Sequence, residues 1–183
     1  MSADAEQLVL RPLKRTEYDR LVDAGAFEGE HIELLDGALV EMSPEGPTHT
    51  WLIQELNHAL TRGLREDLRL RVGHPWAAND ISQPEPDLAV VPHRDYRQEH
   101  AATALLVIEV AASSLAKDRG IKARLYGSAG VPVYWVVDLV NEVVHVHHGP
   151  IATGYETVEQ HGFDEVLDAA GVPVRIADLL DAP

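Results

Sequence analysis

The apolar positions of this chain fall into one long helical stripe and several short runs. From Thr48 to Leu68, the side chains Leu52, Ile53, Leu56, Ala59, Leu60 and Leu64 recur at three- and four-residue intervals, which puts them on one face of a helix. Asp87–Val91 and Leu105–Val110 are nearly all apolar, as expected of strands covered on both faces. His31–Leu35 and Ala38–Met42 flank Asp36-Gly37, a strong local signal for a hairpin. Val133–Asp138 and Val143–His148 suggest a second hairpin around Asn141. Thr16 is suited to cap a short helix running to about Ala24, with Glu17 and Asp19 at its positive end. Leu115–Ser128 reads as a helix stopping near Gly130. Leu68–Ile81 reads as a strand broken at Gly73-His74-Pro75, with Ser43–Pro47 and Pro92–Thr103 as connections. A short strand near Tyr155–Val158 and a helical turn near Ile176–Leu180 close the chain. The sum is an α/β (α+β) protein: a mixed sheet flanked by helices, expected as a single domain over residues 1–183.

A chain of 183 residues can bury a sizeable core. It has no cysteine, which excludes disulfides and thiolate metal sites and fits a reducing compartment. The stretch MSADAEQLVLRPLKR lacks the basic-then-apolar order of a secretory signal, and no apolar run is long enough to span a bilayer. The expected location is the cytoplasm, with no membrane partner. The formal net charge of -15 weighs against a protein that coats phosphates. Against that balance, two of the three lysines, Lys117 and Lys122, lie close together with Arg119 and Arg124, as a local basic cluster or a solvated helix face.

Candidate chemistry concentrates between Pro86 and Tyr126. Asp87 opens one apolar run; it is either a loop residue or a metal ligand. Glu109 lies inside LLVIEVA, where an ionised carboxylate must be paired, bound to metal or protonated. Its alternatives are a metal and a buried salt bridge to the next helix. Lys122 follows Asp118 by four residues, either as a surface pair or as an ammonium reaching the strand ends. Two carboxylates on neighbouring strands with a nearby ammonium are what metal-dependent phosphodiester hydrolysis requires. Tyr126 is a core or rim residue one turn further on. Glu33 points away from the face of Ile32 and Leu34, so solvent exposure is its simplest reading. His145 and His147 share a strand face and suit a metal in type, but without an evident third ligand they read as solvent-facing on an edge strand. No phosphate-loop or nucleophile-elbow signature is present, and Ser113-Ser114 reads as capping or loop.

Asp87 in PDLAVV, Glu109 in VIEVAASS and Lys122 in KDRGIKARLY resemble the PD-(D/E)xK nuclease superfamily. More narrowly, the chain resembles the Uma-type family of candidate restriction endonucleases, a large bacterial group. Glu33 in IELLDGALVEMSP, His49 at a helix start and GVPVYWVVD at 130–138 match that family's pattern, and the likeness spans roughly residues 16–148, leaving 149–183 as a C-terminal extension. The usual superfamily Lys would fall at Ala111; the Uma-type pattern carries it on the following helix, where Lys122 stands. The resemblance implies a restriction-endonuclease-like fold. It implies Mg²⁺ or Mn²⁺ held by Asp87, Glu109 and the backbone carbonyl of Val110. Lys122 would orient the attacking water or neutralise transition-state charge, and Glu33 would hold a second metal or a bridging water. The implied partner is nucleic acid, DNA in the first place, with a homodimer as a candidate assembly. The rival class is a non-catalytic module on the same scaffold that binds nucleic acid or protein, which the acidic balance and Ala111 favour.

Overall fold

The computed structural model describes residues 10–182. Most of the segment that reads as lacking a secretory signal lies outside them. Helix α1 (Arg15–Asp23) leads into a hairpin, β1 (Ile32–Leu35) and β2 (Ala38–Glu41), and then into the long α2 (Pro47–Gly63). A six-stranded sheet follows in the order β3-β4-β5-β6-β7-β8: β3 (Leu68–Val72), β4 (Leu88–Pro92), β5 (Leu106–Ala111), β6 (Val133–Asp138), β7 (Val143–Ile151) and β8 (Gly154–Gly162). Every neighbouring pair is antiparallel except β5 and β6, which run parallel. A parallel pair needs a crossover, and the helical segment 115–128 supplies it. That segment is α3 (Leu115–Lys117), a π-helical turn (Asp118–Lys122) and α4 (Ala123–Ser128). A small hairpin, β9 (Leu167–Ala169) and β10 (Val172–Val174), and α5 (Ile176–Leu180) complete the described chain.

The two faces of the sheet carry separate cores. Leu88, Val90, Leu106, Ile108 and Val110 pack against Leu52, Leu56 and Leu60 of α2, joined by Ala169, Val172, Val174 and Ile176. Residues beyond 148 therefore build part of the same core as α2 and extend the central sheet through β8. The alternate residues Ala89, Val91, Val107 and Ala111 pack against Ala123 and Tyr126 of the crossover helix. Both faces are covered, which is why β4 and β5 read as continuous apolar runs. Glu109 belongs by alternation to the helix-side face, between Val107 and Ala111.

Local chemistry explains the boundaries. The α1 start is set by Lys14, whose backbone N–H donates to Glu17 Oε2 at 2.9 Å, so Thr16 lies inside the helix instead of capping it. The Asp36-Gly37 turn has both residues at positive φ, 49° and 78°, as the expected two-residue hairpin requires. The crossover helix ends as expected at Gly130: Val131 N–H reaches Tyr126 O at 3.0 Å and Gly130 N–H reaches Gly127 O at 2.9 Å. Gly127 faces β8 so closely that a Cβ there would lie 1.9 Å from Gly154 O.

Three expectations change. The strand expected over Leu68–Ile81 is regular only to Val72; beyond Gly73 (φ 56°) the chain forms isolated bridges, Trp76↔Ala101 and Asn79↔Ser82, and then one to β1, Leu34↔Gln83. The long helix stops at Gly63, and Leu68 starts β3. His145 and His147 are not solvent-facing on an edge: β8 covers β7, and the two residues are 2% and 4% exposed. His147 stacks near Tyr134 and Tyr155. Both nitrogens of His145 lack a hydrogen-bond partner among the described residues.

Burial lowers the pKa of both histidines below the ordinary value of 6.5, with Arg119 adding to it. The unfolded chain then binds protons more readily than the folded one. The contribution of these residues is complete above pH 6.5 and declines as pH falls below it. His145→Leu removes two unpartnered nitrogens at similar volume and should raise stability by about 1 kcal/mol at pH 7.5. Urea unfolding should show this advantage growing as pH falls from 6.5 towards 5.

Candidate metal centre

The site is assembled where β4 and β5 part company. Their pairing ends at Leu88↔Ile108, and Ala111 O is bonded on the other side, to Leu139 N. The intervening backbone of Val110 therefore faces the gap beyond the start of β4. Asp87, directly before β4, fills part of it: Asp87 Oδ2 accepts from the Val110 N–H at 2.6 Å. The first turn of α2 sets His49 alongside, with Nε2 3.3 Å from Asp87 Oδ2, and Val110's backbone also faces that ring. Glu45 is 3.7 Å from the other ring nitrogen. Glu45, His49 and Asp87 form a group whose ligand atoms lie within 4.8 Å of one another.

Deeper in the same cleft lies a closed ionic cluster. Lys122 Nζ is 2.8 Å from Glu109 Oε1, 3.4 Å from Glu33 Oε2 and 3.8 Å from Asp118 Oδ1. Tyr126 donates its hydroxyl to the same Glu109 oxygen at 2.8 Å. Lys117 Nζ meets Glu33 Oε1 at 2.8 Å, and Glu85 N–H donates to Glu33 Oε2 at 3.3 Å. Ser114 donates its hydroxyl to Asp118, and Tyr134 donates to the Asp118 carbonyl at 3.0 Å. The π-helical turn makes this possible. Lys117 and Lys122 are five residues apart, which would set them ~140° apart around a regular α-helix. The i→i+5 pairing of a π turn brings such residues to one side, and both reach Glu33.

Asp87, Glu109, Lys122, Glu33, His49 and Tyr126 therefore gather in and around the cleft, whereas His145 and His147 lie apart from it on β7. Glu33, Glu109 and Lys122 touch directly, while Asp87 joins through Val110 and His49. The solvent-exposed reading of Glu33 is overturned: it is fully buried, because Lys117 and Lys122 of the crossover segment meet its carboxylate while segment 81–85 pairs along the edge of β1 opposite β2. The Asp118–Lys122 surface pair is likewise a buried contact. The local basic cluster does not form an open patch. Lys122 is buried, Lys117 is tied to Glu33 and Arg124 to Asp36, which leaves Arg119 exposed without an ion pair among the described residues. Sequence reasoning gives Lys117 only a place in the local basic cluster and Asp118 only a surface pairing with Lys122, and it assigns no role to Glu45. Their one signal is spacing: Asp118, Lys122 and Tyr126 recur every fourth residue along the crossover helix.

Charge sets the chemistry. Burial pushes the Glu109 carboxyl well above the usual range; Lys122 works against this, and Asp87, Asp118 and Glu33 add to it. Burial alone would lower Lys122, but Glu109, Glu33 and Asp118 more than reverse that and keep it charged. Burial and the Glu109 charge hold Tyr126 well above its ordinary pKa, so it remains a donor. Burial works to lower His49, but Asp87 and Glu45 outweigh it and raise its pKa. Counted formally, with every carboxylate ionised and His49 neutral, four carboxylates (Glu33, Asp87, Glu109, Asp118) face two ammonium groups (Lys117, Lys122), an excess of two that the raised pKa values of Glu109, Asp118 and His49 reduce while no cation is bound. A divalent cation fits that excess and the hard oxygen donors present. The cleft measures about 60 Å³, its lining including His49, Asp87, Glu109, Val110 and both Lys117 and Lys122, room for roughly two waters' worth of matter. A larger open groove of about 780 Å³ beside α1 is lined by Asp19, Asp23, Glu28 and Glu30 and is poorly suited to phosphate.

A mixed six-stranded sheet with a helical crossover and this acidic cleft at its strand ends define a restriction-endonuclease-like fold. The chain belongs to the family described as "Uma2: Putative restriction endonuclease", whose model matches residues 15–180. Among solved structures it is similar to one described as a putative nuclease belonging to DUF820 from Anabaena variabilis ATCC 29413. The TM-score is 0.70 at 15% identity, covering 92% of this chain and 98% of the other. No curated protein matches. The family supports a nuclease-like function, and no helix among the described residues is long and apolar enough to cross a membrane.

Removing one partner of a buried ion pair leaves the other charge uncompensated. Lys122→Met should therefore cost about 3 kcal/mol or more at pH 8. In urea unfolding, a cost under about 1 kcal/mol would mean that the cluster relaxes without its central cation.

Proposed function

We propose that this protein is a metal-dependent endonuclease that hydrolyses phosphodiester bonds of nucleic acid, DNA in the first place. The observation that carries the reading is the convergence of Asp87, Glu109 and the Val110 backbone on one solvent-reached cleft, beside two lysines, where the pairing of β4 and β5 ends. Mg²⁺ or Mn²⁺ would be held by Asp87, Glu109 and the Val110 carbonyl, with His49 and Glu45 next to Asp87. Glu109 uses only Oε1 for Lys122 and Tyr126, so Oε2 remains available. When bound, the cation supplies a lowered pKa for a coordinated water and polarises a phosphate oxygen.

The residues of the chain do the rest. Tyr126 and Lys122 fix the Glu109 carboxylate, and the Val110 N–H fixes Asp87, so both ligands are oriented before substrate arrives. Glu33 holds both lysines at the cleft. The oxygen of a water attacks phosphorus while the bond from phosphorus to the leaving sugar oxygen breaks. The water loses one proton to a base or to solvent and the leaving oxygen gains one, giving a phosphate monoester and a free hydroxyl. An ammonium at the cleft offsets the charge that develops on the non-bridging oxygens.

A second reading has its own support. Lys122 already faces three carboxylates, and the net charge is -15, which suits a scaffold whose ionic cluster is structural. Calorimetry with Mn²⁺ separates the two. On the nuclease reading, wild type binds Mn²⁺, Asp87→Asn and Glu109→Gln lose at least about tenfold in affinity, and both lose cleavage of plasmid or single-stranded DNA at low salt. Unchanged Mn²⁺ affinity in both variants, or a wild type that binds no metal, supports the structural scaffold.

A further inference from the structure

The two lysines at the cleft are not equivalent. Lys122 Nζ has three N–H donors and three carboxylates around it, and its side chain is 3% exposed. It lines the cleft but is almost wholly covered, and its one hydrogen bond among the described residues goes to Glu109 at 2.8 Å. Moving towards a phosphate would loosen that bond and the ligand it helps to orient. Lys117 makes a single ionic contact, to Glu33 Oε1 at 2.8 Å, and its side chain is 21% exposed. Both lysines line the cleft with Asp87, Glu109 and the Val110 backbone, and what separates them is that only Lys117 has surface open to it. Glu33 does not depend on it alone, because Oε2 keeps both Lys122 at 3.4 Å and the Glu85 N–H at 3.3 Å. Lys117 can leave Glu33 without stranding a buried carboxylate.

We infer that Lys117 is the residue that touches the substrate phosphate, and that Lys122 is a positioning residue that holds Glu33, Glu109 and Asp118. This rests on the nuclease reading and refines it. On substrate arrival the Lys117 ammonium exchanges Glu33 Oε1 for a non-bridging phosphate oxygen. It donates a hydrogen bond and transfers no proton. The π-helical turn is the structural device behind the division of labour, since it brings residues 117 and 122 to one side of the helix at different depths.

Salt dependence reads this contact directly. Each phosphate neutralised by a lysine releases counterions and adds about one to the slope of log affinity against log salt. Cleavage of a fluorescein-labelled DNA, as duplex and as single strand, is followed with Mn²⁺ over a KCl series. Lys117→Ala should slow single-turnover cleavage about a hundredfold and make the salt slope of kcat/KM shallower by about one. Lys117→Arg keeps the charge and should keep the slope. Lys117→Gln keeps a hydrogen bond to Glu33 and should lose the slope as Ala does, so loss of folding in one variant does not hide the effect. Lys122→Met should alter melting temperature and rate while the slope holds. A wild-type slope in both Lys117→Ala and Lys117→Gln overturns the assignment and leaves the nuclease reading standing. A wild type that cleaves neither DNA with Mn²⁺ overturns both.

Discussion

The contact between Glu109 and Lys122 is the constraint around which the rest is arranged. A carboxylate in the middle of a fully covered strand is costly unless positive charge and hydrogen bonds surround it. Glu109 has Lys122 and the Tyr126 hydroxyl on one oxygen. Meeting that demand places Lys122 on the crossover helix, directly behind β5, and burying Lys122 in turn recruits Glu33 and Asp118. Glu33 draws β1 of the hairpin against the segment that leads to Asp87, and Lys117 closes the far side. Elements distant in the chain are thereby pinned to one point at the strand ends.

That cluster is a poor device for stability alone. Apolar side chains of similar volume would fill the space without desolvating four carboxylates. The carboxylates gathered at a small open cleft and the Val110 backbone turned towards His49 make better sense as preparation for a cation. A ligand set held by packing and by outer hydrogen bonds needs little rearrangement when the ion and substrate arrive. The acidic surface elsewhere argues that nucleic acid is engaged through few contacts close to the cleft, without a broad basic face.

Much of this architecture is legible in the amino-acid sequence. The two apolar strands, the Asp-Gly hairpin, the β6–β7 hairpin and the crossover helix follow from local periodicity and turn chemistry, and Glu109 stands out because its neighbours are all apolar. What the sequence conceals depends on tertiary covering. Glu33 reads as exposed because alternation assumes one open face, and the crossover segment brings Lys117 and Lys122 against that face. His145 and His147 read as edge residues because the strand expected near Tyr155–Val158 is mostly polar and carries no sign that it pairs with β7. The π-helical turn is invisible to a 3.6-residue pattern, yet it decides that Lys117 and Lys122 converge on Glu33. Lys117 and Asp118 therefore read as surface charge.

The central claim is that the parting of β4 and β5 creates a cation site shared by Asp87, Glu109 and the Val110 carbonyl. A crystal grown with Mn²⁺ and measured at the manganese absorption edge tests it most directly. The account predicts an anomalous peak with oxygens of all three residues roughly 2.0 to 2.3 Å away, as short metal–oxygen bonds require, and Lys122 still on Glu109. Saturating Mn²⁺ with no peak in the cleft, and the ionic cluster unchanged, would contradict it.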